Sequence, residues 1–220
     1  LTNITNVEKI YVINKLCESN NLDEDLNKIK TIFPDIYYYL TWENVDKNKF
    51  NNENEWILNY FKEYNKCKIL NKKSEIINKT IDQINKDKKT LCEWYYKIKE
   101  IKPIDNTRAI WVDGLGLEWI PLLIYYIRNY NKEKTILIDF EISRAKLPSI
   151  TEINKFENIY KISKLDDFIH NQNPYIFPKT IIDEFSIIKE IVSEIIPKIR
   201  DYGFIVSDHG FTFLSQKKFG

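Results

Sequence analysis

The chain has 220 residues, of which 43% are hydrophobic and 30% are charged, an ordinary composition for a globular protein with room for one or two domains. Its net charge is +1, which excludes an overall basic field of the kind that draws a protein to nucleic acid or a membrane surface.

Cysteine usage and hydropathy favour a cytoplasmic protein. Cys17, Cys67 and Cys92 are odd in number and lack metal-ligand spacing, which fits a reducing compartment better than a disulfide framework. The sequence shows no signal peptide and no apolar run of about 18 residues, so no membrane span is expected. The chain has no methionine and begins at Leu1, and we therefore expect it to be a piece of a longer protein.

Residues 1–104 are predicted to form a helical region. Apolar side chains recur there at helical spacing, and Pro34 is expected to stop or kink the second helix. The aromatic stretch at residues 36–42 fits either a helix or a strand, and the polar stretch at 46–53 predicts a loop. Helices are predicted at residues 7–17, 22–33, 56–64, 76–84 and 91–101.

The pattern changes beyond a boundary predicted at residues 102–107. Strands and helices alternate from there on, which is typical of an α/β fold with a mostly parallel sheet flanked by helices. Strands are predicted at residues 108–113, 135–140, 159–162 and 204–207, and helices at 115–130, 151–156, 165–170 and 182–200, the last bent near Pro197. The sequence thus predicts an all-helical region at residues 1–104 and an α/β core at residues 105–220.

Two predicted strands end in acidic residues. Asp113 closes the first strand, and Asp208 and His209 follow the last one. Parallel strands end at one edge of a sheet, where open α/β sheets bind ligands, so the two carboxylates can point into one crevice. We interpret this as a metal site for phosphoryl-transfer chemistry. Asp113 lacks the glycine–lysine loop that accompanies a Walker B acid, and a helix-capping role is an alternative for it.

Two further groups are candidates for the same site. Thr151 follows a loop containing Pro148 and begins a predicted helix, where its hydroxyl can act as a nucleophile beside bound phosphate or simply cap the helix. Asp166 and His170 are spaced to share one helix face, so they can bind one ion or form a surface pair. Asp167 is an alternative to Asp166 because one sequence does not fix the helical phase.

Four motifs occur in this half in a set order: Val-Asp-Gly at 112–114, Leu-Pro-Ser-Ile-Thr at 147–151, Asp-x-x-x-His at 166–170 and Ser-Asp-His-Gly at 207–210. This order resembles the alkaline phosphatase superfamily. The stretches Trp-Val-Asp-Gly-Leu-Gly-Leu-Glu-Trp and Leu-Pro-Ser-Ile-Thr-Glu-Ile-Asn-Lys-Phe resemble the PglZ domain of bacterial BREX-type phage-defence systems. The resemblance covers residues 108–214.

The resemblance implies an alkaline phosphatase-like core that binds two divalent metals at the carboxyl ends of its parallel strands. Carried over to this sequence, Thr151 is the nucleophile, and Asp113, Asp208 and His209 hold the nearer metal. Oxygen and nitrogen donors without a thiolate suit Zn²⁺ or Mn²⁺ and do not distinguish between them.

The farther metal is implied to bind Asp166 and His170. The superfamily has a further histidine downstream of its Asp-His pair, and none follows His209. We therefore expect either a core truncated at its C-terminus, with the last ligand beyond residue 220, or a degenerate second site.

Two functions follow from the resemblance. The first is a metal-dependent phosphatase or phosphodiesterase of an anti-phage defence system, acting on a phosphate ester that could belong to a nucleic acid or a nucleotide. The second is a catalytically incomplete PglZ-type domain that binds other defence proteins, with the helical region as its partner surface. A third interpretation gives the motifs no function and makes them caps and surface pairs of an α/β domain.

Overall fold

A series of helices precedes a small parallel sheet in this computed structural model. The structure describes residues 4–50, 55–86, 91–98, 100, 109–130, 139–146, 151–154, 156, 159–171, 175–199, 201–208 and 210. The helices are α1 (Asn6–Cys17), α2 (Leu22–Ile29), α3 (Pro34–Thr41), α4 (Glu55–Leu70), α5 (Glu75–Lys86), α6 (Leu91–Lys97), α7 (Ile120–Tyr130), α8 (Thr151–Asn154), α9 (Lys164–Asn171) and α10 (Lys179–Ile195). The strands are β1 (Ala109–Val112), β2 (Tyr160–Ile162) and β3 (Phe204–Val206), and short 3-10 helices span Lys47–Lys49 and Leu117–Trp119.

Local side-chain chemistry explains where the first helices begin. Thr5 and Glu8 form a capping box at the start of α1, in which each side chain accepts a hydrogen bond from the other residue's backbone N–H. Pro34 begins α3 at its first position, where a missing N–H is tolerated, and α2 has already ended at Ile29. The aromatic stretch that fitted either a helix or a strand is therefore helical.

The sheet has the order β2-β1-β3, and both pairings are parallel. All residues of β1 are apolar and buried, as expected for a central strand covered on both faces. The three strands confirm the predictions near 108–113, 159–162 and 204–207. Of the strand predicted at 135–140, residues 135–138 lie outside the described part, and Asp139 and Phe140 belong to no strand.

Helices flank this sheet, which confirms an α/β fold with a parallel sheet. The largest hydrophobic cluster extends from Ile13 of α1 through Ile110 and Val112 of β1 to Ile195 of α10. Side chains of the helical region thus pack directly against those around the sheet.

The last predicted helix differs in extent from the structure. The helix predicted at 182–200 with a bend near Pro197 is α10, which ends at Ile195 and is followed by turns at residues 196–199. Proline has no N–H for the helical ladder, and its ring crowds the carbonyl of the preceding turn, so the helix stops instead of bending.

In the part of the chain that the structure describes, no helix has the length and apolar character needed to cross a membrane.

Candidate functional site

Three of the predicted site residues meet at the carboxyl edge of the sheet. The Thr151 Oγ1 atom lies 3.3 Å from Asp113 Oδ1 and 3.1 Å from Asp208 Oδ2. Asp113 directly follows β1, and Asp208 follows β3 after Ser207. Two carboxylates from neighbouring strands therefore face a single hydroxyl.

Both carboxylates are buried. The exposed fraction is 2% for Asp113 and 1% for Asp208. A carboxylate can be withdrawn from water at acceptable cost only if hydrogen bonds or opposite charges replace its hydration. Two such groups are the Trp111 indole, which donates from Nε1 to Asp208 Oδ1 at 2.9 Å, and Lys161, whose Nζ lies 2.5 Å from Asp113 Oδ2.

The strand geometry explains why these two supporting side chains reach the site. Trp111 lies in β1, and Asp113 follows the strand while its N–H still donates to the Ile162 carbonyl of β2. The two residues are two positions apart and so project from the same face of the sheet. The parallel register pairs Trp111 with Lys161 of β2, which places the lysine on that face as well. The Lys161 ammonium lies 4.2 Å from the centroid of the Trp111 ring, a cation–π distance.

Sequence reasoning missed Trp111 and Lys161 as site residues. The position of Trp111, two residues before a strand-ending aspartate, could have indicated its role, because alternation places both on one face. Lys161 could not have been found in this way, since its neighbours depend on the pairing of β1 with a strand about 50 residues away.

Glycines let the loops that carry Asp113 and Asp208 approach each other. Gly114 has a φ of 72°, in the left-handed region that other residues rarely adopt. A Cβ at Gly210 would lie 2.5 Å from the Cα of Gly116, which is closer than real Cβ contacts. The loop after β1 therefore packs directly on the loop after β3.

A buried charged cluster lies behind the first of these loops. Glu118 is buried, and a Cβ at Gly116 would overlap its carboxylate. Burial raises the pKa of Glu118 to about 7, although the nearby Lys68 ammonium opposes the shift. The Lys68 Nζ atom lies 2.6 Å from Glu184 Oε2 and 4.5 Å from the centroid of the Trp119 ring.

Thr151 is the first residue of α8, which confirms its predicted position at the start of a helix. This helix is shorter than the one predicted at 151–156. A helix of four residues has little macrodipole, so it adds little to anion binding. The Thr151 hydroxyl lies instead within hydrogen-bond distance of two carboxylates. The loop at residues 147–150 lies outside the described part of the chain.

Asp166 and His170 lie on α9, which begins just after the carboxyl end of β2. The His170 Nε2 atom is 3.4 Å from Asp166 Oδ1, so the two side chains share one helix face. Asp167 instead accepts a hydrogen bond of 2.8 Å from Ser163 at the start of the helix. The geometry therefore pairs His170 with Asp166. The His170 side chain is 68% exposed.

His209, the predicted third ligand of the nearer metal, lies outside the described residues. Within the residues that are described, no three His, Cys, Asp or Glu side chains are grouped closely enough to hold a metal ion. Asp113 and Asp208 nevertheless supply two buried carboxylates around one hydroxyl, and oxygen donors of this kind suit a divalent cation. These two described carboxylates fit the part of the donor set that the motifs imply for the nearer metal.

The fold and the site together define a class: a parallel α/β protein with a carboxylate–hydroxyl centre at the carboxyl edge of its sheet. No model of a protein family, no curated protein and no solved structure matches the chain.

Proposed function

We propose that the chain is a metal-dependent phosphoesterase with an alkaline phosphatase-like core of the PglZ type. The observation that carries this proposal is the position of Thr151 Oγ1, within 3.3 Å of one buried carboxylate and 3.1 Å of another. A threonine that only capped α8 would have no need of Asp113 and Asp208, which come from two different strands. The role in cytoplasmic phage defence rests on the motif resemblance.

In the proposed reaction the Thr151 hydroxyl attacks the phosphorus atom of the ester. The Oγ1–P bond forms while the P–O bond to the leaving group breaks on the opposite side, and the hydroxyl proton passes to a neighbouring carboxylate. A Zn²⁺ or Mn²⁺ ion held by Asp113, Asp208 and His209 would supply positive charge for the alkoxide and the non-bridging oxygens. Water then attacks the phosphorus atom, the Oγ1–P bond breaks, and Oγ1 regains its proton from the carboxylate. The product is phosphate from a monoester or a phosphomonoester from a diester.

Each supporting residue has a defined task in this scheme. The Trp111 N–H fixes the Asp208 carboxylate through its Oδ1 atom, which leaves Oδ2 directed at Thr151. Asp166 and His170 would hold the second metal of a two-metal site.

The proposal is tested by metal content and turnover measured on the same samples. The chain is stripped with a chelator, loaded with Zn²⁺ or Mn²⁺, and assayed on a phosphomonoester and a phosphodiester. We expect Thr151→Ala to retain metal and lose turnover by about a hundredfold or more, whereas Asp208→Asn loses metal. Asp167→Asn is the matched control for Asp166→Asn, and only the latter should lower the content of a second metal.

Two results would contradict the proposal. Turnover by Thr151→Ala at the wild-type rate would exclude the assigned nucleophile. Failure of the wild-type chain to bind either metal would exclude the metal site.

A second function is favoured by the composition of the farther metal site. The chain has two histidines, and motif carry-over gives that site only Asp166 and His170. In this alternative the domain is catalytically incomplete and binds other defence proteins. One metal per chain without turnover of either substrate would support it.

A further inference from the structure

Lys161 provides a cation immediately beside the proposed nucleophile. Its Nζ atom lies 2.5 Å from Asp113 Oδ2, and the other oxygen of the same carboxylate lies 3.3 Å from Thr151 Oγ1. A single carboxylate group thus separates the ammonium from the hydroxyl. The Lys161 side chain is 38% exposed, whereas the exposed fraction of Asp113 is 2%. The Lys161 side chain is therefore more accessible to solvent than the carboxylate with which it pairs.

The groups that hold Lys161 in place also hold the rest of the site. The ammonium lies over the Trp111 ring, and the indole N–H of that ring donates to Asp208. Phe156 packs edge-on against Trp111 at a centroid distance of 5.6 Å. Because Lys161 projects from a paired strand onto this aromatic platform, less side-chain entropy is lost when it contacts a ligand than for a lysine on a loop.

We infer that Lys161 is a substrate-binding residue, whose ammonium contacts a non-bridging oxygen of the phosphate that Thr151 attacks. Lysine is a common phosphate-binding residue and acts as a point charge. The oxygens of a phosphate are arranged tetrahedrally around the phosphorus atom. A phosphoryl group bonded to Oγ1 would therefore place oxygens on more than one side of the Oγ1–P bond. The oxygen on the Asp113 side would lie next to Lys161. This inference rests on the proposed function, since it assumes that a phosphate group occupies the Thr151 site.

Lys161 also has a second, testable relation to the metal. Its ammonium and a divalent ion would share the Asp113 carboxylate. A variant without the Lys161 ammonium removes a positive charge that would repel the metal ion from the Asp113 carboxylate. Such a variant should therefore bind metal at least as tightly as the wild type. A residue needed only to hold the site together would have the opposite effect.

The test compares Lys161→Met, Lys161→Arg and a matched control, Lys164→Met. Lys164 lies on the adjacent α9, its side chain is 45% exposed, and it pairs with Glu194 at 2.8 Å. Inorganic phosphate affinity is measured by calorimetry on stripped and metal-loaded protein, together with metal affinity and thermal unfolding.

We expect Lys161→Met to weaken phosphate binding by about tenfold to a hundredfold, the range of a charge-assisted hydrogen bond. Lys161→Arg should retain most of the affinity because it keeps the charge, and Lys164→Met should match the wild type. The Lys161→Met variant should remain folded and keep its metal.

The outcomes separate this inference from the proposed function. If the wild-type chain binds metal and hydrolyses esters, but Lys161→Met binds phosphate as well as Lys164→Met does, the role of Lys161 is overturned and the function stands. If the chain takes up no metal, yet Lys161→Met loses phosphate affinity, the function is overturned and the phosphate contact stands. Absence of phosphate binding by the wild type overturns both.

Discussion

Gly210 approaches Gly116 so closely that a side chain at position 210 would place its Cβ 2.5 Å from the Cα of Gly116 and 3.2 Å from its backbone nitrogen. These atoms belong to the backbone and cannot rotate away as a flexible side chain can. The contact therefore fixes the distance between the loops that present Asp113 and Asp208 to Thr151. This contact requires a glycine at position 210, next to His209 in the sequence.

We predict that Gly210→Ala pushes these loops apart. The substitution should lower the free energy of unfolding by about 1–3 kcal/mol, the range for overpacking, and should weaken metal binding. Gly203→Ala is a matched control, since no atom lies within 4 Å of a Cβ at that position. Urea unfolding and metal titration of both variants measure the effect. Equal stability of the two alanine variants would contradict the close contact.

The indole hydrogen bond from Trp111 to Asp208 can be tested separately from the aromatic packing. Trp111→Phe keeps an aromatic ring in place and removes the N–H that donates to Asp208 Oδ1. We expect a loss of about 1–3 kcal/mol in the free energy of unfolding, because a buried carboxylate oxygen loses a donor.

A double-mutant cycle with Asp208→Ala isolates this hydrogen bond, because alanine removes the oxygen that accepts from the Trp111 N–H. The two effects should couple by roughly 0.5–3 kcal/mol, as for residues in direct contact. Strictly additive effects in urea unfolding would show that the bond contributes nothing.

The ion pair between Lys68 and Glu184 is buried, so breaking it should be costly. Lys68→Met leaves a buried carboxylate without its closest positive charge, and we expect a loss of about 3–5 kcal/mol of stability. Lys28→Met breaks an exposed ion pair with Glu24 and should change stability by less than about 1 kcal/mol. Thermal unfolding of the two variants provides the comparison.

The double variant Lys68→Met/Glu184→Met distinguishes a buried charge from lost packing. With both charges removed, a large part of the lost stability should return. A double variant less stable than Lys68→Met would show that the pair itself stabilises the fold.

Stability should also depend on pH through Glu118. The pKa of its carboxyl is 4.5 when freely solvated and about 7 in the folded chain, because burial disfavours the charged form. The folded state therefore binds this proton more tightly than the unfolded state. The resulting stabilisation is complete below pH 4.5 and is lost as the pH rises through 7.

Replacement of Glu118 by glutamine should remove this pH dependence. The difference between the two pKa values of Glu118 corresponds to roughly 3 kcal/mol in the free energy of unfolding. For a chain of this size, that is a shift of several degrees in Tm. We expect the Tm of Glu118→Gln, relative to wild type, to rise between pH 5 and pH 8. Parallel curves for the two proteins across that range would show that Glu118 does not titrate there.

Much of the local structure could be predicted because it depends on short-range chemistry. Apolar spacing located α1, and an unbroken apolar run located β1. A strand-ending carboxylate needs no partner to be recognised, so Asp113 and Asp208 could be placed at the sheet edge from their positions alone. The aromatic stretch in α3 stayed ambiguous, since short apolar runs fit both periodicities.

The neighbours of those carboxylates could not be predicted. Lys161 reaches Asp113 because β2 pairs with β1 in a register that places it beside Trp111. Glu118 acquires its raised pKa from burial, while Lys68 of α4 lowers the pKa and Glu184 of α10 raises it. Likewise, the partner of His170 was settled only when the helical phase placed Asp166, and not Asp167, on its face.

Periodicity and the chain order of acidic, hydroxyl and imidazole side chains therefore determined most of the element types, the parallel arrangement and the candidate residues. Tertiary structure decided which of these residues meet, which cation accompanies them and how deeply they are buried. The physical reason is that side-chain alternation and helical spacing are properties of consecutive residues. Strand register, loop contact and desolvation arise instead from backbone hydrogen bonds and packing between segments far apart in the chain.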